Sequence, residues 1–304
     1  MQPSDESASV NAQEITWGSS APSVPDNKPV IDPDNPPWGI ISAVLVWLGS
    51  FILLGVIPAI FLLFYAVRKG LAPTSPDFQH AIAELTLSDT TAIFYLVLGN
   101  LPAHLLTVVL VWAVVTGLGK RPFWKTIGWG WGRYFGLWAS IASGAILFLA
   151  GTIVAKVLGG DKQTQLEQIL NSSIAARYAI AFLATFTAPF VEEFVYRGIL
   201  YSAFQRLIGR VGGVIFVVAL FTAVHVPQYR PNYGVIAAVG LLSLWLTIIR
   251  AVSRRLLPCF VIHLVFNGIQ SLIIVLGPHF TPPTVAPNQA AIILWCVHLL
   301  RFLV

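Results

Sequence analysis

From residue 39 to residue 67 the chain carries no charged side chain, and nothing else in the sequence narrows its fold as much. A helix of about 20 apolar residues crosses the ~30 Å hydrocarbon core of a bilayer. In lipid every backbone N–H and C=O must find its partner inside the protein, which leaves helices and closed barrels as the only spanning structures. Comparable apolar runs recur at about 91–118, 134–158, 174–206, 212–226, 234–249, 256–276 and 290–304. Runs this long are helical, because barrel strands need only about 10 residues. The expected fold is an all-α polytopic membrane protein of about eight transmembrane helices. Composition agrees: 10% of residues are charged and the mean hydropathy is +0.77, where a soluble domain carries about 25% charge.

The remaining segments fit that frame. Residues 1–37 are rich in Ser, Pro, Asn and Asp and hold Asp5, Glu6, Glu14, Asp26, Asp32 and Asp34 against Lys28, the composition of a disordered tail. They lack the basic start and short apolar core of a signal peptide. Lys120, Arg121, Lys125 and Arg133 alternate with Trp124, Trp129, Trp131 and Trp138, which reads as a membrane-interface belt rather than a nucleic-acid patch. With an even number of spans both termini share a side. Placing them in the cytoplasm gathers most Lys and Arg there, including Arg206, Arg210, Arg250, Arg254 and Arg255, as the positive-inside rule favours. The expected location is a bacterial cytoplasmic membrane. Cys259 and Cys296 have no metal-ligand spacing and read as small apolar packing residues. The domain reading is a tail (1–37), N-terminal membrane helices (38–173) and a membrane core (174–304) that carries the candidate catalytic residues described next.

One apolar run breaks its own rule. Residues 190–198 read Phe-Val-Glu-Glu-Phe-Val-Tyr-Arg-Gly. Glu192 and Glu193 are the only acids inside an apolar segment, and each intramembrane charge costs about 2.5–3.5 kcal/mol on insertion scales. Glu193 and Arg197 are four apart, so they share a helix face and can pair. Glu192 is rotated about 100° away and needs another environment. Pro189, three residues earlier, predicts a kink.

Two later runs supply candidate partners. Phe221 and His225 are four apart, as are His263 and Asn267, so each pair lies on one helix face. Both histidines fall near the middle of their runs, at the depth of Glu192. His104, after Asn100 and Pro102, reads instead as a hydrogen-bonded histidine in a kinked helix. His279 and His298 read as non-functional. A carboxylate, two imidazoles and an amide in a membrane interior could activate water and stabilise an oxyanion. They could also ligate zinc, through Glu192, His225 and His263 with a water in the fourth position. A proton or metal relay uses similar residues, and a non-catalytic scaffold or immunity protein could retain them.

Glu192-Glu193-Phe194-Val195-Tyr196-Arg197 resembles the EExxxR motif of the CPBP family of intramembrane proteases, the CAAX-protease and bacteriocin-processing (Abi) proteins. Phe221–His225 resembles the family's FxxxH and His263–Asn267 its HxxxN, in the family's order, over residues 174–270. The resemblance implies endopeptidase activity inside the bilayer on membrane-associated or lipidated peptides or proteins, with membrane lipids as the surroundings and no nucleic-acid partner. It implies that Glu192 activates water with help from His225, and that His263 and Asn267 stabilise the oxyanion. Glu193, Arg197 and Phe221 support them. Members are described both as metalloproteases and as glutamic proteases, so the cofactor reading stays open between none and zinc.

Overall fold

The computed structural model describes residues 32–159 and 164–280. The described residues contain helices and no strand, as expected of an all-α membrane protein. Among the described residues six helical segments are long and apolar enough to cross a bilayer: Ile40–Arg68, Thr90–Thr116, Leu137–Val157, Ile174–Tyr229, Tyr233–Ser253 and Leu257–Gly277. The runs expected at 174–206 and 212–226 are both inside the fourth segment. The run at 290–304 lies outside the described residues.

The N-terminal half opens with α1 (Ile40–Arg68), which exposes large apolar side chains such as Ile41, Phe51, Ile52 and Phe64. A membrane protein presents this surface to lipid. The short α2 (Phe78–Ser88) leads to α3 (Thr90–Leu98), whose first turn is capped by Asp89 through the Thr91 and Ala92 N–H groups. Next come α4 (Asn100–Thr116), the one-turn α5 (Phe123–Thr126) and α6 (Leu137–Val157). Asn100 donates to the carbonyls of Leu96 and Val97 at the α3–α4 junction, satisfying backbone acceptors that a broken helix would leave bare. The Trp-rich loop divides its side chains. Trp124, Trp131 and Trp138 are exposed, while Trp129 packs on Phe190, Phe194 and Phe260.

The second half begins with α7 (Gln165–Ser172) and α8 (Ile174–Phe182). A π-helical turn (Leu183–Thr187), the short α9 (Ala188–Glu192) and a second π-helical stretch (Glu193–Leu200) follow. Helix α10 (Tyr201–Tyr229) is bent at Gly209, with φ 76° and ψ 170°. That conformation is confined to glycine, and it resolves the excess length of the apolar stretch. Helices α11 (Tyr233–Ser253) and α12 (Leu257–Phe280) are the last of the described elements. Helices α6, α11 and α12 pack around Leu147, Phe148, Leu246, Ile262 and Phe266. Their close approach depends on Gly144, where an added Cβ would lie 2.8 Å from Val265 Cβ and 2.9 Å from the Ile262 carbonyl oxygen.

The π segment carrying the two glutamates sits at the centre. Every residue from Glu193 to Leu200 is buried, against α1 and α4 on one side and α10 on another. A strap at one end of the bundle extends the ordered core below residue 38. Asp34 pairs with Arg250 at 2.7 Å and with Arg254 at 2.5 Å, and Asp32 pairs with Arg254 at 2.7 Å. Arg206 donates to the Pro36 carbonyl and Trp38 to that of Ile199. Residues 32–37, expected as the end of a disordered tail, are therefore tied to the core. Burial alone would raise the Asp34 carboxyl, but the two guanidiniums outweigh it and hold it below its ordinary value.

Candidate active site

The backbone around Pro189 explains the first piece of the site. In the π turn the Ala188 N–H reaches back to the Leu183 carbonyl, five residues away. The Ala184 carbonyl thus loses its α-helical donor. Its π-helical donor would be residue 189, a proline, which has no N–H. Asn267 on α12 fills the gap, its Nδ2 donating to the Ala184 oxygen at 2.8 Å. The expected oxyanion donor therefore commits one of its two amide protons to holding the π turn.

The second piece is the ion pair. Arg197 Nη1 lies 3.0 Å from Glu193 Oε1 across the π stretch, and both side chains are fully buried. The guanidinium is satisfied beyond that pair. Its Nη2 donates to the Ser243 hydroxyl and carbonyl at 3.0 and 3.2 Å, its Nε donates to Thr247 at 3.3 Å, and its carbon sits 4.7 Å over the Phe221 ring. Ser243 and Thr247 were not singled out from the sequence. Their signal was there: two hydroxyls four apart in an otherwise apolar run, hence on one helix face.

The third piece is a set of oriented imidazoles. His225 Nδ1 is 2.7 Å from the Phe221 carbonyl, which can only accept, so Nδ1 carries the proton. In the neutral ring Nε2 is then a free acceptor. Phe221 thus serves two neighbours, Arg197 with its ring and His225 with its carbonyl. His263 Nδ1 donates to the same Glu193 oxygen at 2.8 Å, and its Nε2 lies 3.7 Å from Glu192 Oε2. Glu193 therefore holds a histidine as well as an arginine. Glu192, unlike Glu193, is partly accessible, with 26% of its side chain exposed.

That exposure opens into a cavity of about 530 Å³, lined by Glu192 and His225 together with Trp47, His104 and Tyr196 and, on the apolar side, Leu54, Ile169 and Leu183 among others. Of the expected residues, Glu192 and His225 share this cavity and His263 adjoins Glu192. Glu193, Arg197 and Phe221 form the buried layer behind them. His104, read from the sequence as a hydrogen-bonded histidine, has that partner and also a place in the cavity wall. It is buried, lines the cavity, and bonds Thr187 Oγ1 through Nδ1 at 2.8 Å. The zinc alternative finds no such support. Glu192, His225 and His263 do not close into a ligand set, and among the described residues no three His, Cys, Asp or Glu side chains come together to hold an ion.

Residues 174–269 match the family model described as type II CAAX prenyl endopeptidase Rce1-like. That segment holds Glu192, Glu193, Arg197, Phe221, His225, His263 and Asn267 and excludes His104. No curated protein and no solved structure matches the chain.

Proposed function

We propose that this chain, whose residues 174–269 are an Rce1-like type II CAAX prenyl endopeptidase domain, is an intramembrane endopeptidase that cleaves membrane-associated or lipidated peptides with a glutamate-activated water. One observation carries the reading. The accessible carboxylate Glu192 shares an intramembrane cavity with His225, whose Nδ1 is held by the Phe221 carbonyl, while a second, fully buried carboxylate, Glu193, organises the surroundings.

Glu192 takes a proton from water as the water oxygen attacks the scissile carbonyl, and His225 Nε2 accepts the water's second hydrogen bond and orients it. The oxyanion of the tetrahedral adduct is met by His263 Nε2 and the remaining Asn267 N–H. For His263 to donate there, both ring nitrogens must carry protons, and the Glu193 carboxylate on Nδ1 supports that charge. Collapse breaks the C–N bond, and Glu192 returns its proton to the leaving nitrogen, giving a carboxylic acid and an amine. The cavity's walls of Leu, Val and Phe suit an apolar chain beside the peptide. The end carrying Arg206, Arg250 and Arg254, where residues 32–38 also lie, is cytoplasmic by the positive-inside rule.

The test is the purified full chain in nanodiscs with a quenched lipidated-peptide library. Wild type should cleave, and Glu192→Gln should lose at least about 100-fold, the lower range for a general base, with an unchanged melting profile. Absence of cleavage by wild type, or equal cleavage by Glu192→Gln, overturns the proposal.

A further inference from the structure

The cavity's polar groups are unevenly employed. The Trp47 indole N–H donates to the Tyr196 hydroxyl, the Ser50 hydroxyl to the Trp47 carbonyl, and the Asn100 amide to Leu96 and Val97. These donors are committed to the protein's own backbone and side chains. Beside Glu192 the cavity is faced by the rings His104 and His225 and by the Gln228 amide.

The polarity of the His104 hydrogen bond follows from the far end of its chain of contacts. The Leu183 carbonyl can only accept, and Thr187 Oγ1 donates to it at 3.3 Å. The Thr187 oxygen then accepts from His104 Nδ1–H. In the neutral ring His104 Nε2 keeps its lone pair, as His225 Nε2 does through the Phe221 carbonyl. Glu192, His104 and His225 thus place acceptors at three points, and a ligand that meets them brings donors. A peptide in extended form offers such donors as backbone N–H groups, which must be paired once withdrawn from water.

We propose that His104 is a substrate-positioning residue of this site, its Nε2 accepting a hydrogen bond from a backbone N–H of the bound peptide at a position other than the scissile bond. The inference rests on the endopeptidase reading and adds a residue from α4, outside the matched domain. Thr187 sets the tautomer, so the π turn acts on the substrate through His104.

The experiment uses the full chain in nanodiscs, a peptide that wild type cleaves, and a series in which each non-scissile backbone N–H is replaced in turn by an ester oxygen. Binding of the same peptides to Glu192→Gln is followed by fluorescence polarisation. His104→Leu should raise KM about 10-fold with kcat within about 3-fold, since one neutral hydrogen bond is worth roughly that factor. His104→Gln, which retains an acceptor, should recover most of the loss. One ester position should weaken wild type by the same factor and leave His104→Leu unaffected. Thr187→Val, which frees the ring without removing it, should raise KM while Thr187→Ser does not, and this pair decides the matter if His104→Leu does not fold. An unchanged KM in His104→Leu or in Thr187→Val, or ester losses that simply add to the variant's, overturns this inference alone. A wild type that neither cleaves nor binds any peptide overturns the endopeptidase reading and the inference with it.

Discussion

Removing one charge of the Glu193–Arg197 pair should destabilise the protein at least as much as removing both. Both side chains are fully buried and 3.0 Å apart. Breaking a buried pair by removing one partner costs about 3–5 kcal/mol, because the other charge is left uncompensated. At about 2–4 °C per kcal/mol for a chain of this size, Glu193→Gln and Arg197→Met should each lower Tm by roughly 6–20 °C. The double variant leaves neither charge. It still forfeits the Arg197 hydrogen bonds to Ser243 and Thr247 and the ring contact with Phe221. At about 1 kcal/mol for a typical net hydrogen bond, its loss should be near 2–3 kcal/mol, about that of one single variant or less. The coupling between the two substitutions should therefore be at least about 3 kcal/mol. The assay is thermal unfolding in nanodiscs by far-ultraviolet circular dichroism, with all four proteins in one buffer. If the two single losses add in the double variant, the pair is not a desolvated ion pair and this account of the EExxxR spacing is wrong.

The strap gives a prediction in pH. Asp34 is held below its ordinary value, so its contribution to stability is fully present above the unfolded-state carboxylate pKa and is lost as pH falls through the lowered folded value. Asp34→Asn should weaken the attachment of residues 32–38 at neutral pH, seen as faster amide exchange there, and should remove the acid-dependent part of wild-type exchange; identical pH profiles would contradict the assignment. Gly144→Ala should cost about 1–3 kcal/mol by overpacking, because the added carbon meets Val265 Cβ at 2.8 Å. A Tm equal to wild type would show that α6 and α12 separate freely there.

The residues of the candidate site were legible in the sequence because charge inside an apolar run is costly and has few explanations. Glu193 with Arg197, Phe221 with His225, and His263 with Asn267 each announce a shared helix face by their four-residue spacing, and that argument is local. The membrane class and most of the spans follow for the same reason, since apolar length against bilayer thickness needs no knowledge of the neighbours. Local reasoning stopped where a backbone departed from the α-helix or a partner came from a distant run. Pro189 signals a kink, but that the kink takes the form of π turns, with Asn267 repairing the bare Ala184 carbonyl, depends on α12 lying alongside. Ser243 and Thr247 become ligands of Arg197 only because α11 packs on the π stretch. Glu193 was read as a partner of Arg197, and only packing shows that His263 shares its oxygen. His104 was read as a hydrogen-bonded histidine, but the sequence does not name its partner. Thr187 lies 83 residues away, and a contact across that distance is chosen by how the helices pack.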